Sequence, residues 1–120
     1  MVSIVPVETN AKQKPDAVLL DDDEMVTNTW SHSAKRYKRD LRTYTNRQSL
    51  LSEVDSFDEN TDFYIDSNLG DDKGEEVVKI LHAKGFKRLF IASGSPKSDK
   101  SIAELILGLV PKTPPWIQKS

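Results

Sequence analysis

The sequence contains no cysteine, which excludes disulfide frameworks, thiolate metal sites and thiol nucleophiles together. No apolar run comes near the ~20 residues that a bilayer-crossing helix needs. Residues 1–15 lack the charged start and continuous apolar stretch of a signal peptide. The expected setting is therefore the cytoplasm, with no membrane attachment by this chain itself. Charge of one sign is also lacking: 17 Lys and Arg face 19 Asp and Glu, a net charge of -2, so no overall field recruits nucleic acid. There is no internal repeat and no low-complexity tract. A length of 120 residues suits one domain with a real core, and 30% charged against 37% hydrophobic residues is a globular balance.

What is present is an alternation of short apolar runs with amphipathic stretches. Residues 1–15 read as a linker that holds Pro6 and ends at Pro15, a domain spans residues 16–116, and residues 117–120 form a tail. Ala17 to Leu20 is a buried strand ending in acid. From Met25 to about Tyr37, Val26, Trp30 and Ala34 recur at fourfold spacing, with Lys35, Arg36, Lys38 and Arg39 near the end; this predicts a helix whose cations complement its dipole. Leu41 to Tyr44 is a weaker strand. Thr45 with Gln48 predicts a capping box before Leu50, Leu51, Val54 and Phe57. Asp62 to Ile65 is a third strand, followed by a polar loop. Gly74 to Lys84 is a third helix closed by a left-handed Gly85, and Arg88 to Ala92 is a fourth strand. Ile102, Leu105 and Ile106 form a short helical stripe before a fifth strand at Leu109 and Val110. Strands alternating with helices predict an α/β fold, a doubly wound parallel sheet with helices on both faces.

In such a sheet, ligands gather beyond the carboxyl ends of the strands. The residues found there are Asp21, Asp22 and Asp23 after the first strand, Asp66 after the third, Ser93 after the fourth and Lys112 after the fifth. Crowded carboxylates need a cation among them, and a hard, oxygen-seeking ion such as Mg²⁺ suits them. Such an ion pairs carboxylates with phosphate oxygens, which points to phosphoryl transfer with a carboxylate as nucleophile. Each residue also has a plainer reading: a solvated acidic turn, a helix cap, a turn hydroxyl, a surface lysine. Their shared place at strand ends weighs against coincidence. Trp30 and Trp116 read as packing residues, and Lys35 to Arg39 as a solvated helix end. Nothing around His82 supports catalysis.

The stretch VLLDDDEMV, then YIDSNL with Gly74 eight residues after Asp66, then LFIASG, then Lys112 beyond Leu109 and Val110, resembles the receiver domain of bacterial response regulators and hybrid histidine kinases over roughly residues 16 to 116. The resemblance implies a flavodoxin-like five-stranded sheet of order 2-1-3-4-5. It implies Asp66 as phosphoacceptor, Asp22 and Asp66 as carboxylate ligands of Mg²⁺, Asp21 acting through a water, and Asn68 contributing its backbone carbonyl. Ser93 would bind a phosphoryl oxygen, and Lys112 would pair first with the carboxylate and then with the phosphoryl group. Such a domain catalyses its own phosphorylation and dephosphorylation, and its partner is a histidine kinase or a histidine phosphotransfer domain.

The sequence departs from the family pattern at three points. Thr113 intervenes between Lys112 and the Pro114-Pro115 pair, Leu109 stands where the family places an aromatic, and the stretch after Lys112 leaves the last helix missing or vestigial. The expected context is the carboxyl-terminal receiver of a hybrid kinase, the alternative a stand-alone receiver that relays or sinks phosphate. Within the chain, the face without its helix could be covered by the apolar amino-terminal piece or by the tail with Trp116 and Ile117, and outside it by a second copy or the rest of a hybrid kinase; the expectation is that residues 1–14 are partly ordered, packing on the bare face or edge or on a neighbouring molecule. The rival enzyme reading is a haloacid-dehalogenase-like phosphatase with Asp21 as nucleophile and Asp23 completing a DxD pair.

Overall fold

Ala17–Leu20 (β1) is apolar at every position and buried at every position, because it runs through the interior of the sheet with neighbours on both sides. In the computed structural model, which describes residues 12–70, 72–93 and 102–117, β1 is followed by helix α1, Glu24–Tyr37. The Asp23 carboxylate caps that helix by accepting from the Met25 amide at 2.9 Å. Lys35 and Arg36 lie in its last turn, and Lys38 closes it in the left-handed region at φ 57°. Strand β2, Leu41–Tyr44, leads to α2, Arg47–Glu53, and a single 3₁₀ turn at Val54–Ser56.

The cap of α2 is Asn46, whose side chain accepts from the Ser49 amide at 2.8 Å. The expected box at Thr45 and Gln48 is thus replaced by a single side-chain cap one residue later, since asparagine is the stronger capping residue of the adjacent pair. Strand β3, Phe63–Ile65, follows. The loop expected after Asp66 contains a small antiparallel ladder of β4, Asn68–Leu69, and β5, Asp72–Lys73. Helix α3, Gly74–Ala83, runs to Gly85 at φ 102°, the left-handed glycine expected there. Strands β6, Leu89–Ala92, and β7, Gly108–Val110, complete the set. The stripe at Ile102, Leu105 and Ile106 forms one turn rather than a helix. Among the described residues its Leu105 amide bonds to Ile102 O at 2.8 Å, and the Leu107 amide is already on Leu89 O at 2.7 Å, so no helix continues from Ile102 toward β7; residues 94–101, just before it, lie outside the described residues. Ile102 is nonetheless buried, with Leu105 and Ile106 packed around it.

The five main strands are parallel in the order β2-β1-β3-β6-β7, the doubly wound flavodoxin-like arrangement. Alternation along each strand splits the core into two layers. On one face, Val18, Leu20, Phe63, Ile65, Leu89 and Ile91 meet Leu50 and Val54 near α2 and Val77, Val78 and Leu81 of α3. On the other, Ala17, Leu19, Tyr64 and Ala92 meet Trp30 of α1, and Trp116 packs against the same cluster.

No helix follows β7 among the described residues; the chain from Pro111 to Ile117 turns across the α1 side instead. It leaves a groove of about 410 Å³ lined by Tyr64, Phe90, Val110, Pro114 and Ile117, among others. Gln13 joins the chain elsewhere, bridging to Phe57 with bonds of 2.8 Å to Ser56 O and 2.7 Å from the Asp58 amide. The expectation that residues 1–14 cover the bare face concerns mainly residues 1–11, which lie outside the described residues. No helix among the described residues is long and apolar enough to cross a membrane.

Candidate functional site

Strand order reverses between β1 and β3: the chain steps outward from β1 to β2, then returns to the other side of β1 as β3. The carboxyl ends of β1 and β3 therefore border a crevice that no crossover fills. Asp21 stands at the first end, fully buried, its amide bonded to Tyr44 O at 3.0 Å and its Oδ1 accepting from the Asp23 amide at 2.9 Å. Asp66 stands at the second, 3% exposed, with its amide on Leu20 O at 2.8 Å and its Oδ1 accepting from the Asn68 amide at 3.3 Å. Backbone ladders thus hold both carboxylates at fixed height. Asp22 is exposed, yet Asp21, Asp22 and Asp66 each bring one oxygen to within 4.8 Å of the others.

Lys112 reaches into this group from beyond β7, its Nζ 3.0 Å from Asp21 Oδ2 and 3.4 Å from Asp66 Oδ2. Burial first, then the Asp21 charge, push the Asp66 carboxyl above its ordinary value; the Asn68 amide and Lys112 pull the other way without cancelling the rise. Burial also works against the Lys112 ammonium, but Asp21 and then Asp66 outweigh it and hold the group above its ordinary value. Three carboxylates against one ammonium leave the crevice negative. The buried Asp21 Oδ2 has no other donor among the described residues. An underserved carboxylate oxygen beside two more carboxylates fits a hard divalent cation, which takes oxygen ligands and supplies the missing positive charge.

Ser93 sits at the end of β6, buried, with its amide on Val110 O at 3.0 Å, and its hydroxyl accepts from Ser67 Oγ at 3.4 Å. Asn68 is exposed, and its side chain accepts from the Gly70 amide at 3.2 Å, closing the turn of the small ladder. All six residues singled out from the sequence thus lie at this end of the sheet or on the loop just beyond it. Asp23 does not join the cluster, because its carboxylate is engaged at the start of α1. The phosphatase alternative, which needs Asp21 and Asp23 as a pair, finds no support.

Two contributors were not legible in the sequence. Gly74 opens α3 with its backbone against Asp66: a Cβ there would lie 2.0 Å from Asp66 O and 2.8 Å from its carbonyl carbon, so only glycine fits. Its place eight residues after Asp66 belongs to the sequence motif, but linear spacing does not report a close approach of two backbones. Trp30, read as a packing residue, is fully buried and also donates from Nε1 to Lys112 O at 3.3 Å.

The sequence matches no protein-family model and no curated protein. Its fold is that of response-regulator receiver domains. Similar solved structures include a response regulator protein from Burkholderia pseudomallei with a phosphorylated aspartic acid, calcium ion and citrate (18% identity, TM-score 0.67, 83% of this chain and 60% of that one). Others are a CheY-like response regulator receiver domain from Methylobacillus flagellatus (20%, 0.68, 83% and 87%) and the signal receiver domain of an HD domain-containing protein from Pseudomonas fluorescens Pf-5 (17%, 0.69, 83% and 83%). The chain thus spans about three-fifths of the length of the Burkholderia protein.

Proposed function

We propose that this chain is a phosphoacceptor receiver domain that takes a phosphoryl group from a phosphohistidine onto Asp66, with Mg²⁺ as cofactor. The observation that carries the reading is one buried carboxylate at a strand end, Asp66, paired with Lys112 and grouped with Asp21 and Asp22. Asp21, Asp22 and Asp66, with the Asn68 backbone carbonyl, would hold the Mg²⁺, which when bound offsets the negative charge shared between carboxylates and phosphate oxygens.

The chain's own residues account for the rest. An Asp66 carboxylate oxygen forms the new bond to phosphorus as the bond from phosphorus to the donor nitrogen breaks, and the departing imidazole keeps that electron pair. Lys112, balanced between two carboxylates, is free to trade one of them for a phosphoryl oxygen as charge develops there. The Ser93 hydroxyl would donate to another. Burial of Asp66 keeps the carboxylate poorly solvated and so more nucleophilic than a surface aspartate. The donor is a histidine kinase or a histidine phosphotransfer domain, and the reaction belongs in the cytoplasm.

The test is incubation with Mg²⁺ and acetyl phosphate, followed by mass-spectrometric location of the added phosphate. Asp66 should carry it, and Asp66→Asn should abolish it with the fold intact. Phosphate on Asp21, or none on the wild-type protein, overturns the reading.

A further inference from the structure

Lys112 has four rotatable side-chain bonds, so where its ammonium rests depends on how firmly its backbone is held. No helix follows β7 among the described residues to hold it, and Thr113 separates Lys112 from the stiff Pro114-Pro115 pair. The segment is fixed to α1 by two indoles instead. Trp30 Nε1 donates to Lys112 O at 3.3 Å, and Trp116 Nε1 donates to Ser33 Oγ at 2.8 Å. Trp30 and Ser33 are three apart on α1 and so share a face, while Lys112 and Trp116 bracket the two prolines. The rings meet edge to face with centroids 6.0 Å apart, and the Tyr64 ring lies 5.5 Å from that of Trp30. Just past the second anchor the Ile117 amide bonds back to Pro114 O at 3.2 Å, closing a turn that contains Trp116 and the buried Pro114. Each end of the 112–116 segment is thus tied to the helix that Asp23 starts, two residues beyond Asp21.

We propose that Trp30 and Trp116 are positioning residues for Lys112, a two-indole clamp that sets the ammonium between Asp21 and Asp66. The proposal deepens the receiver reading and rests on it for its catalytic consequence, whereas the clamp itself is a claim about where the ammonium sits. Trp30→Phe keeps an aromatic ring and deletes the donor to Lys112 O; Ser33→Ala removes the acceptor of Trp116 without touching the core.

Both variants should bind Mg²⁺ with unchanged affinity, because the carboxylates are not altered, while phosphorylation by acetyl phosphate slows by about tenfold to a hundredfold, the usual consequence of a misplaced catalytic group. In a Lys112→Met background the same changes should cause no further slowing, since they act through that ammonium. Equal slowing in both backgrounds, or lost Mg²⁺ affinity, means that the indoles are merely structural and overturns the clamp. A crystal structure of Ser33→Ala or Trp30→Phe supplies the readout that does not depend on phosphotransfer: the ammonium should leave its positions near Asp21 and Asp66. Ion pairs retained in both variants overturn the clamp. Wild-type protein that accepts no phosphate refutes the receiver function instead, and the crystal structures then decide the clamp on their own.

Discussion

Replacing Lys112 with methionine keeps the stem of the side chain and deletes its charge, so it isolates what the ammonium does for the folded state. At 3.0 and 3.4 Å, and with an effective dielectric of about 20, each contact represents roughly 5 kcal/mol of gross Coulomb attraction. Desolvation of the carboxylates cancels much of this, and breaking a buried pair by removing one partner costs about 3–5 kcal/mol. The Lys112 side chain is 27% exposed, so water softens the loss. The expected destabilisation without divalent cations is about 2–4 kcal/mol, or roughly 8–16 °C in melting temperature for a domain of this size. The assay is thermal unfolding followed by circular dichroism at pH 7 with a chelator, for wild type, Lys112→Met, Asp66→Asn and the double variant. The double variant should recover much of the loss, because Asp21 is then the one buried carboxylate of the cluster left uncompensated, Asp22 being exposed to solvent. Lys112→Met melting within about 2 °C of wild type would refute the idea that this ammonium neutralises the crevice.

Asp66→Asn should itself melt higher than wild type at neutral pH without metal. The folded Asp66 carboxyl lies above its ordinary 3.8, so the folded state binds the proton more tightly; that contribution is full below the unfolded value and is lost as pH rises through the folded one. Parallel melts from pH 3 to pH 7 should therefore show wild type falling behind Asp66→Asn only as pH rises, and a constant gap would remove the electrostatic explanation. Gly74→Ala should destabilise by about 2–3 kcal/mol in chemical denaturation and disturb phosphorylation at Asp66, because its Cβ would lie 2.0 Å from Asp66 O; full activity at wild-type stability would contradict the close approach. Mg²⁺ at ten times its dissociation constant should stabilise wild type by about 1.4 kcal/mol, and Asp22→Ala should abolish that gain while melting no lower than wild type in chelator. A marked loss in chelator would make Asp22 a structural residue.

The short apolar runs were legible because parallel strands buried on both faces tolerate almost nothing else, as AVLL at β1 and FYI at β3 illustrate. The order of strands and helices, and the residues at the strand ends, followed from the same runs. Local competition was harder to read. Asn46 rather than Thr45 caps α2, and among the described residues the Ile102 stripe makes a turn, because Leu107 must already pair with Leu89 on its carboxyl-terminal side. Periodicity reports which face a residue prefers, not how much chain remains for the element.

The sequence by itself therefore determined the doubly wound class and the kinds of group at the crevice: carboxylates after β1 and β3, a hydroxyl after β6, an ammonium after β7. Only the tertiary structure decided which of three adjacent aspartates is buried, which caps a helix and which faces solvent, since Asp21, Asp22 and Asp23 are chemically identical until a strand ends and a helix begins between them. It alone also brought Gly74 against Asp66 and Trp30 against Lys112, residues 8 and 82 positions apart. Contacts of that kind depend on where the folded backbones pass, and linear spacing does not encode that.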